Sequence, residues 1–242
     1  MLSKFLEPIR LLLNAINKIL RAVDNKYALY ALQSILFAAG VAHIVLLSVH
    51  NIADELREEF DNYKRLDNLV DDVQESLSKH DSIHVSRVQH FYVTHPNAIM
   101  SEEDELRVTV LQEAVAEGVV RTKEAFQNEP LSGGLKRAVV KVMSTPSYRG
   151  RFLYTRNIAE SELSYNERIM LQTLNVHSSV TYYVQAIVYQ ERNWYGLTWG
   201  TPSQYRTHFL LIGFETIDPA KHDRFIFQKI RSARDRIRNI IK

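Results

Sequence analysis

Cysteine is absent from this 242-residue chain. That excludes a disulfide framework, a thiolate nucleophile and any cysteine-ligated zinc or iron–sulfur cluster, whichever compartment the chain occupies. Catalytic signatures are missing as well: there is no P-loop, GxGxxG, GxSxG, HExxH or paired-carboxylate motif. Gly133-Gly134 alone does not make a phosphate cradle. At 45% hydrophobic, 24% charged and 10% aromatic the chain can bury a core, so disorder and low-complexity fibres are excluded. No enzyme activity and no cofactor are expected.

Charge is missing from one long stretch. The 27 residues between Lys26 and Asp54 carry none, and 23 of them, Tyr27 to Val49, are mostly apolar. As a helix, 23 residues reach roughly 35 Å, enough to cross a hydrocarbon core of ~30 Å with some tilt. The stretch reads as a transmembrane helix, although Gln33, Ser34, His43, Ser48 and His50 would also suit a buried core helix. A cleaved signal peptide fits less well, because its apolar region should be ~7–15 residues after a short basic tip. Residues 1–26 carry five Lys/Arg and residues 51–75 carry three, which places the N-terminus in the cytoplasm and residues after 50 on the far side.

Before the span, Leu2, Phe5, Leu6, Ile9, Leu12, Leu13 and Ile16 recur at helical spacing, with Lys4, Arg10, Lys18 and Arg21 mostly on the other side. Such a basic amphipathic helix suits an anionic membrane surface, or equally a soluble core. Within the span, Ser34, Ala38 and Ala42 form a small-xxx-small ridge that lets backbones approach. Gln33 and His43 are costly against lipid, so these five residues are the expected helix–helix contacts. His43 and His50 share a face; an interhelical hydrogen bond and an interfacial position explain them better than haem.

After the span, Leu56, Tyr63, Leu66, Val70, Val73 and Leu77 approximate a and d spacing amid charged residues. They fit a short coiled coil or docking on the chain's own domain. The expected organisation is a basic helix over 1–26, a span over 27–49, a helical stalk over 50–80 and an extracytoplasmic domain over 81–242.

In that domain, Ile83 to Thr94 reads as a strand closed by Pro96, and Leu106 to Phe126 as a helix after an acidic first turn. Pro130 and Gly133-Gly134 break it; Lys136 to Met143 is ambiguous. Arg151 to Arg156 reads as a strand and Ser161 to Leu174 as a helix. Val180 to Trp199 reads as two strands about a turn near Arg192-Asn193, His208 to Glu215 as their partner, and the segment from Pro219 as a closing helix. The fold class is α+β, with helices covering one side of an antiparallel sheet. The order of elements resembles small sensory modules of the PAS or GAF type, an analogy of fold that carries no function.

His80, His84, His90 and His95 suggest a metal, but the run lacks a nearby carboxylate, and surface or half-buried imidazoles are the simpler reading. Tyr182, Tyr183, Tyr189, Trp194, Tyr195 and Trp199 could line a ligand face, yet aromatics on strands more often pack the sheet. The last 24 residues hold eight basic and two acidic side chains. A core-packed helix with a solvated polar face explains them better than a nucleic-acid partner.

The layout of a basic N-terminal helix, one uncleaved span with polar residues, an acidic stalk and a compact α+β domain resembles the holin family of the T-even bacteriophages. The stretch YYVQAIVYQERNWYGLTW, then HFLLIGFE and the closing IDPAKHDRFIFQKIRSARDRIRNIIK, is similar to that family's aromatic strands and Arg-rich helix. The resemblance implies a homo-oligomer in the lipid bilayer of the host inner membrane. It would form lesions that release an endolysin, and an antiholin-type regulatory protein would bind the exported domain. The alternative is a membrane-anchored sensor or interaction protein with an extracytoplasmic ligand-binding domain. A soluble chain with the 27–49 helix buried is the third reading.

Overall fold

The computed structural model describes residues 26–79, 83–144, 151–189, 204–216 and 223–241, together with Asn14 and Lys18. One helix, α1 (Lys26–Ser78), runs through the boundary between two compact units, Met1–Phe60 and Asp61–Lys242. Of the basic N-terminal positions, Lys18 is helical and exposed, whereas Lys4, Arg10 and Arg21 lie outside the described residues.

In the first unit α1 is the one helix of the described residues long and apolar enough to cross a membrane. None of its apolar stretch is buried; Ile35 is 65% exposed, Phe37 76% and Leu46 67%. The expected contact residues Gln33, Ser34, Ala38, Ala42 and His43 all lie on this helix and are exposed.

The second unit is α+β. Its strands are β1 (Val85–His95), β2 (Leu106–Val115), β3 (Glu129–Leu131), β4 (Phe152–Thr155), β5 (Ser178–Tyr189) and β6 (Gln204–Phe214). The helices after α1 are α2 (Gly133–Ser144), α3 (Tyr165–Thr173) and α4 (Asp223–Ile240). The six strands form one antiparallel sheet in the order β3-β2-β1-β6-β5-β4. Its two long central strands, β1 and β6, pair from Val85 opposite Phe214 to His95 opposite Tyr205.

Helices cover both faces of this sheet, not one side as expected. On the first face Val85, Val88, Tyr182, Leu210 and Ile212 pack with Leu66, Leu69, Val70, Val73 and Leu77 of α1 and with Ile226, Ile230, Ala233 and Ile237 of α4. The Asp61–Ser78 part of the expected stalk is therefore core, and the apolar stripe of the basic closing helix is docked. On the second face Phe91, Val93, Val108, Val110 and Phe209 pack with Val139 and Val142 of α2. The physical reason is apolar supply: β1 is buried at nearly every position, which one helical layer could not achieve.

The segment expected to be a helix over Leu106–Phe126 begins as strand β2 instead. Leu106, Val108 and Val110 alternate inward, and the register then shifts opposite His90/Phe91, so that Gln112 faces His90. This bulge changes the phase of the alternation and makes the sequence mimic a spacing of four.

Gly133-Gly134 opens α2, where a carboxylate tightly caps the helix. Glu167 accepts hydrogen bonds from the amides of Gly134 (3.1 Å) and Leu135 (2.9 Å), and from Ser164 (2.7 Å) in the capping box of α3. A Cβ at Gly134 would lie 2.8 Å from the Leu163 backbone, so the close approach of α2 and α3 requires glycine there. Partial burial opposes ionisation of Glu167, but the Ser164, Leu135 and Gly134 donors hold its carboxyl below the usual range. Glu167→Ala is expected to lower stability by about 1–3 kcal/mol in urea unfolding at pH 7. A loss below about 0.5 kcal/mol would show that water replaces the carboxylate at both helix starts.

Candidate functional site

The second face of the sheet does not close completely. Phe91 of β1, Val108 and Val110 of β2, and Leu211 of β6 form the floor of a cavity of about 120 Å³. Leu135, Ala138 and Val139 of α2, with Met170 and Leu171 of α3, form its roof. Its lining is overwhelmingly carbon. An apolar cavity of ~150 Å³ is large enough for a benzene ring and stays dry when empty, so this one is on the scale of a small apolar molecule.

One end of the cavity is polar, bounded by Arg87, Gln89 and Thr122. Arg87 and Glu113 form an ion pair (Nη1 to Oε1, 3.2 Å) with only 2% and 0% of their side-chain surface exposed. The same Glu113 oxygen accepts from Gln89 Nε2 (2.7 Å) and Thr122 Oγ1 (2.9 Å). The other oxygen accepts from the amides of Thr122 (2.7 Å) and Lys123 (2.8 Å). Arg87 also donates to Thr122 Oγ1 (3.0 Å) and to the carbonyls of Val120 (3.1 Å) and Leu174 (3.4 Å), tying β1 to the loop after β2 and to the end of α3. Burial pulls the guanidinium below its usual range, and the Glu113 charge opposes that pull. Arginine stays charged regardless. Its buried Nε has no hydrogen-bond partner among the described residues.

The arrangement is one unpaired guanidinium nitrogen, held in place by an otherwise satisfied network, beside an apolar chamber, the pattern of a site that orients a ligand by few polar contacts. Sequence reasoning missed all of it. The available signal was Arg87, a full charge inside a run of β-branched and aromatic residues, which demands a buried partner.

The expected histidine cluster is dispersed. His80 lies outside the described residues, His84 is exposed, and His90 and His95 point to opposite faces of β1. His90 instead meets His208 from β6. His90 Nδ1 donates to Gln112 Oε1 (2.6 Å), which leaves Nε2 to accept from His208 Nδ1 (3.1 Å); the rings stack at 5.2 Å. Burial pulls His90 down to about 4, and burial, His90 and the Arg206 charge lower His208 well below the usual range. Among the expected aromatic ligand residues, Tyr182 packs on Phe152 and Tyr183 on Phe209, both as sheet packing. Trp194, Tyr195 and Trp199 lie outside the described residues, as does the side chain of Tyr189.

No family model matches the sequence, and no curated protein matches it. Among solved structures the chain is similar to the PixJ GAF domain of Thermosynechococcus elongatus in its blue-light absorbing form. Identity there is 13% and the TM-score 0.41, over 74% of this chain and 88% of that one. A far-red cyanobacteriochrome photoreceptor matches at 10% identity and TM-score 0.42, over 80% of this chain and 97% of that one. The phycoerythrobilin-bound GAF domain of a cyanobacterial phytochrome matches at 10% and 0.42, over 79% and 91%.

Two outcomes test this geometry. Glu113→Ala leaves a buried guanidinium without its counter-charge and is expected to lower stability by about 3–5 kcal/mol in urea unfolding, most of it recovered by Arg87→Met with Glu113→Leu. A single-variant loss below about 1 kcal/mol contradicts the buried pair. The imidazoles titrate lower when folded than unfolded, so the unfolded chain takes up more protons as pH falls, and stability drops between pH 6.5 and about 4. His90 alone accounts for about 3 kcal/mol across that window. His208→Gln should shrink the fall in unfolding midpoint between pH 7 and pH 5; an unchanged fall would place the proton uptake elsewhere.

Proposed function

We propose that this chain is a membrane-anchored ligand-binding protein, a sensor module whose α+β domain takes a small, largely apolar molecule. The observation that carries the reading is the cavity itself: a carbon-lined chamber with Arg87, Gln89 and Thr122 at one end. The exposed apolar stretch of α1 supports the anchor, since an uncovered helix of this composition is stable only against lipid or another apolar surface. Under this proposal residues 1–26 are cytoplasmic and the domain lies on the opposite side, which the five-to-three Lys/Arg balance of the flanks favours. In this reading α1 couples the two ends, because the helix that carries the span also supplies Leu66, Leu69, Val70, Val73 and Leu77 to the domain's core.

The ligand's chemistry follows from the lining. Its bulk is aromatic or branched aliphatic, matched to Phe91, Val108, Val110, Val139 and Met170, and a hydrogen-bond acceptor on one side faces Arg87 Nε. A molecule of about six to ten heavy atoms suits the volume. Ligand held at a hundredfold excess over its dissociation constant stabilises the folded state by about 2.7 kcal/mol, a rise of roughly 5–10 °C in Tm for a domain of this size. A panel of such compounds, tested on the full chain in detergent, is expected to contain members that raise Tm. Ala138→Trp, which fills the chamber, should abolish the rise. Absence of any shift across the panel, or a shift that survives Ala138→Trp, overturns the reading.

A holin reading draws on the same anchor, with Gln33, Ser34, Ala38, Ala42 and His43 as clustering contacts and an antiholin-type regulator on the domain. The cavity is what favours the sensor. Potassium efflux after induced expression in a bacterium separates the two: a preserved gradient supports the sensor, and abrupt efflux supports lesion formation.

A further inference from the structure

The apolar surface of α1 does not stop where the uncharged stretch ends. Leu56 and Phe60 stand in the most charge-dense part of the helix and are 59% and 66% exposed. Together with Val49 and Ala53 before them and Tyr63 after, they repeat at alternating intervals of four and three, the a and d positions of a heptad. This seam ends at Tyr63, whose hydroxyl donates to the Leu111 carbonyl (3.4 Å); the next apolar positions, Leu66 and Leu69, are buried in the chain's own core. The exposed seam and the core-facing stripe are thus successive segments of one helix with different partners.

The charges indicate what covers the seam. With Leu56 and Tyr63 at d and Ala53 and Phe60 at a, the acids Asp54, Glu55, Glu58 and Asp61 all fall at the outer b, c and f positions. The flanking positions hold Glu59 at g and Arg57 and Lys64 at e. In a parallel pair of helices g faces the e position five residues on in the other copy, so Glu59 meets Lys64 of a second copy, and no like charges face across the seam. An antiparallel pair would bring e against e and set these basic residues together. We propose that α1 from Val49 to Tyr63 is a parallel homodimer interface whose occupant is a second copy of this chain. Two copies inserted in one bilayer by the same helix already share depth and direction, which presents the seams in register. The inference goes beyond ligand binding and depends on neither the cavity nor its occupant.

The absence of cysteine makes the test direct. Full-length chain in membranes, carrying the single substitution Leu56→Cys or Phe60→Cys, is expected to convert mostly to a disulfide-linked dimer under mild oxidation, because a and d positions bring paired residues within disulfide reach. Glu58→Cys and Asp61→Cys, on the outer face, should remain monomeric on reducing-agent-free gels. In the Phe60→Cys background, Glu59→Lys and Lys64→Glu should each reduce the dimer, and the two together should restore it. No cross-linking at 56 and 60, equal cross-linking at all four positions, or failure of the charge swap to restore the dimer overturns the proposal. None of these readouts responds to loss of ligand binding.

Discussion

Apolar surface has to be covered by something, and along α1 this requirement meets two different solutions. From Leu66 to Leu77 the helix buries its apolar stripe against the sheet and α4. From Ile35 to Val49 no protein covers it. At roughly 25 cal/mol per Å² of apolar surface removed from water, a helix of this length left bare would cost tens of kcal/mol, more than the stability of an ordinary domain. By length and composition the helix is able to cross a membrane, and lipid is the cover the proposed function assigns to it. The proposed membrane anchor and the proposed seam beyond the apolar stretch both start from that single requirement.

The folded unit shows the complementary principle. With helices on both faces, the central strands β1 and β6 are deprived of water, and each polar side chain on them must find a protein partner. On the face toward α2 and α3, Arg87 and Gln89 are matched by Glu113 and Thr122. On the opposite face, His90 and His208 are matched by Gln112 and by each other. The first network sits beside a chamber and leaves Arg87 Nε unpaired; the second leaves Gln112 Nε2 unpaired but borders no described cavity. The adjoining cavity is why that face, and not the histidine pair, is the better ligand site.

Much of this was legible from the residues in order. The uncharged stretch, strand β1, the pairing of β5 with β6, and the closing amphipathic helix are local patterns of period two or 3.6, and all appear where the spacing placed them. Strand β2 was not legible, because the bulge opposite His90/Phe91 shifts the alternation and the acidic residues before Leu106 imitate a helix start. The second helical layer was not legible, because Arg87 and Gln89, the polar side chains of β1 on that face, find their side-chain partners 24 to 35 residues away. Long-range pairs of this kind leave no spacing to read. The cavity is equally non-local: its lining comes from five strands and two helices, and only Arg87 announces that something buried must answer it.

The most direct measurement is alkaline carbonate extraction of membranes from cells expressing the full chain, with the fraction read by immunoblot. Retention in the membrane pellet, together with release into the supernatant when Phe37 and Ile44 are both changed to Asp, is the predicted result. Complete release of the unmodified, folded chain would contradict it, because α1 would then have a cover other than lipid.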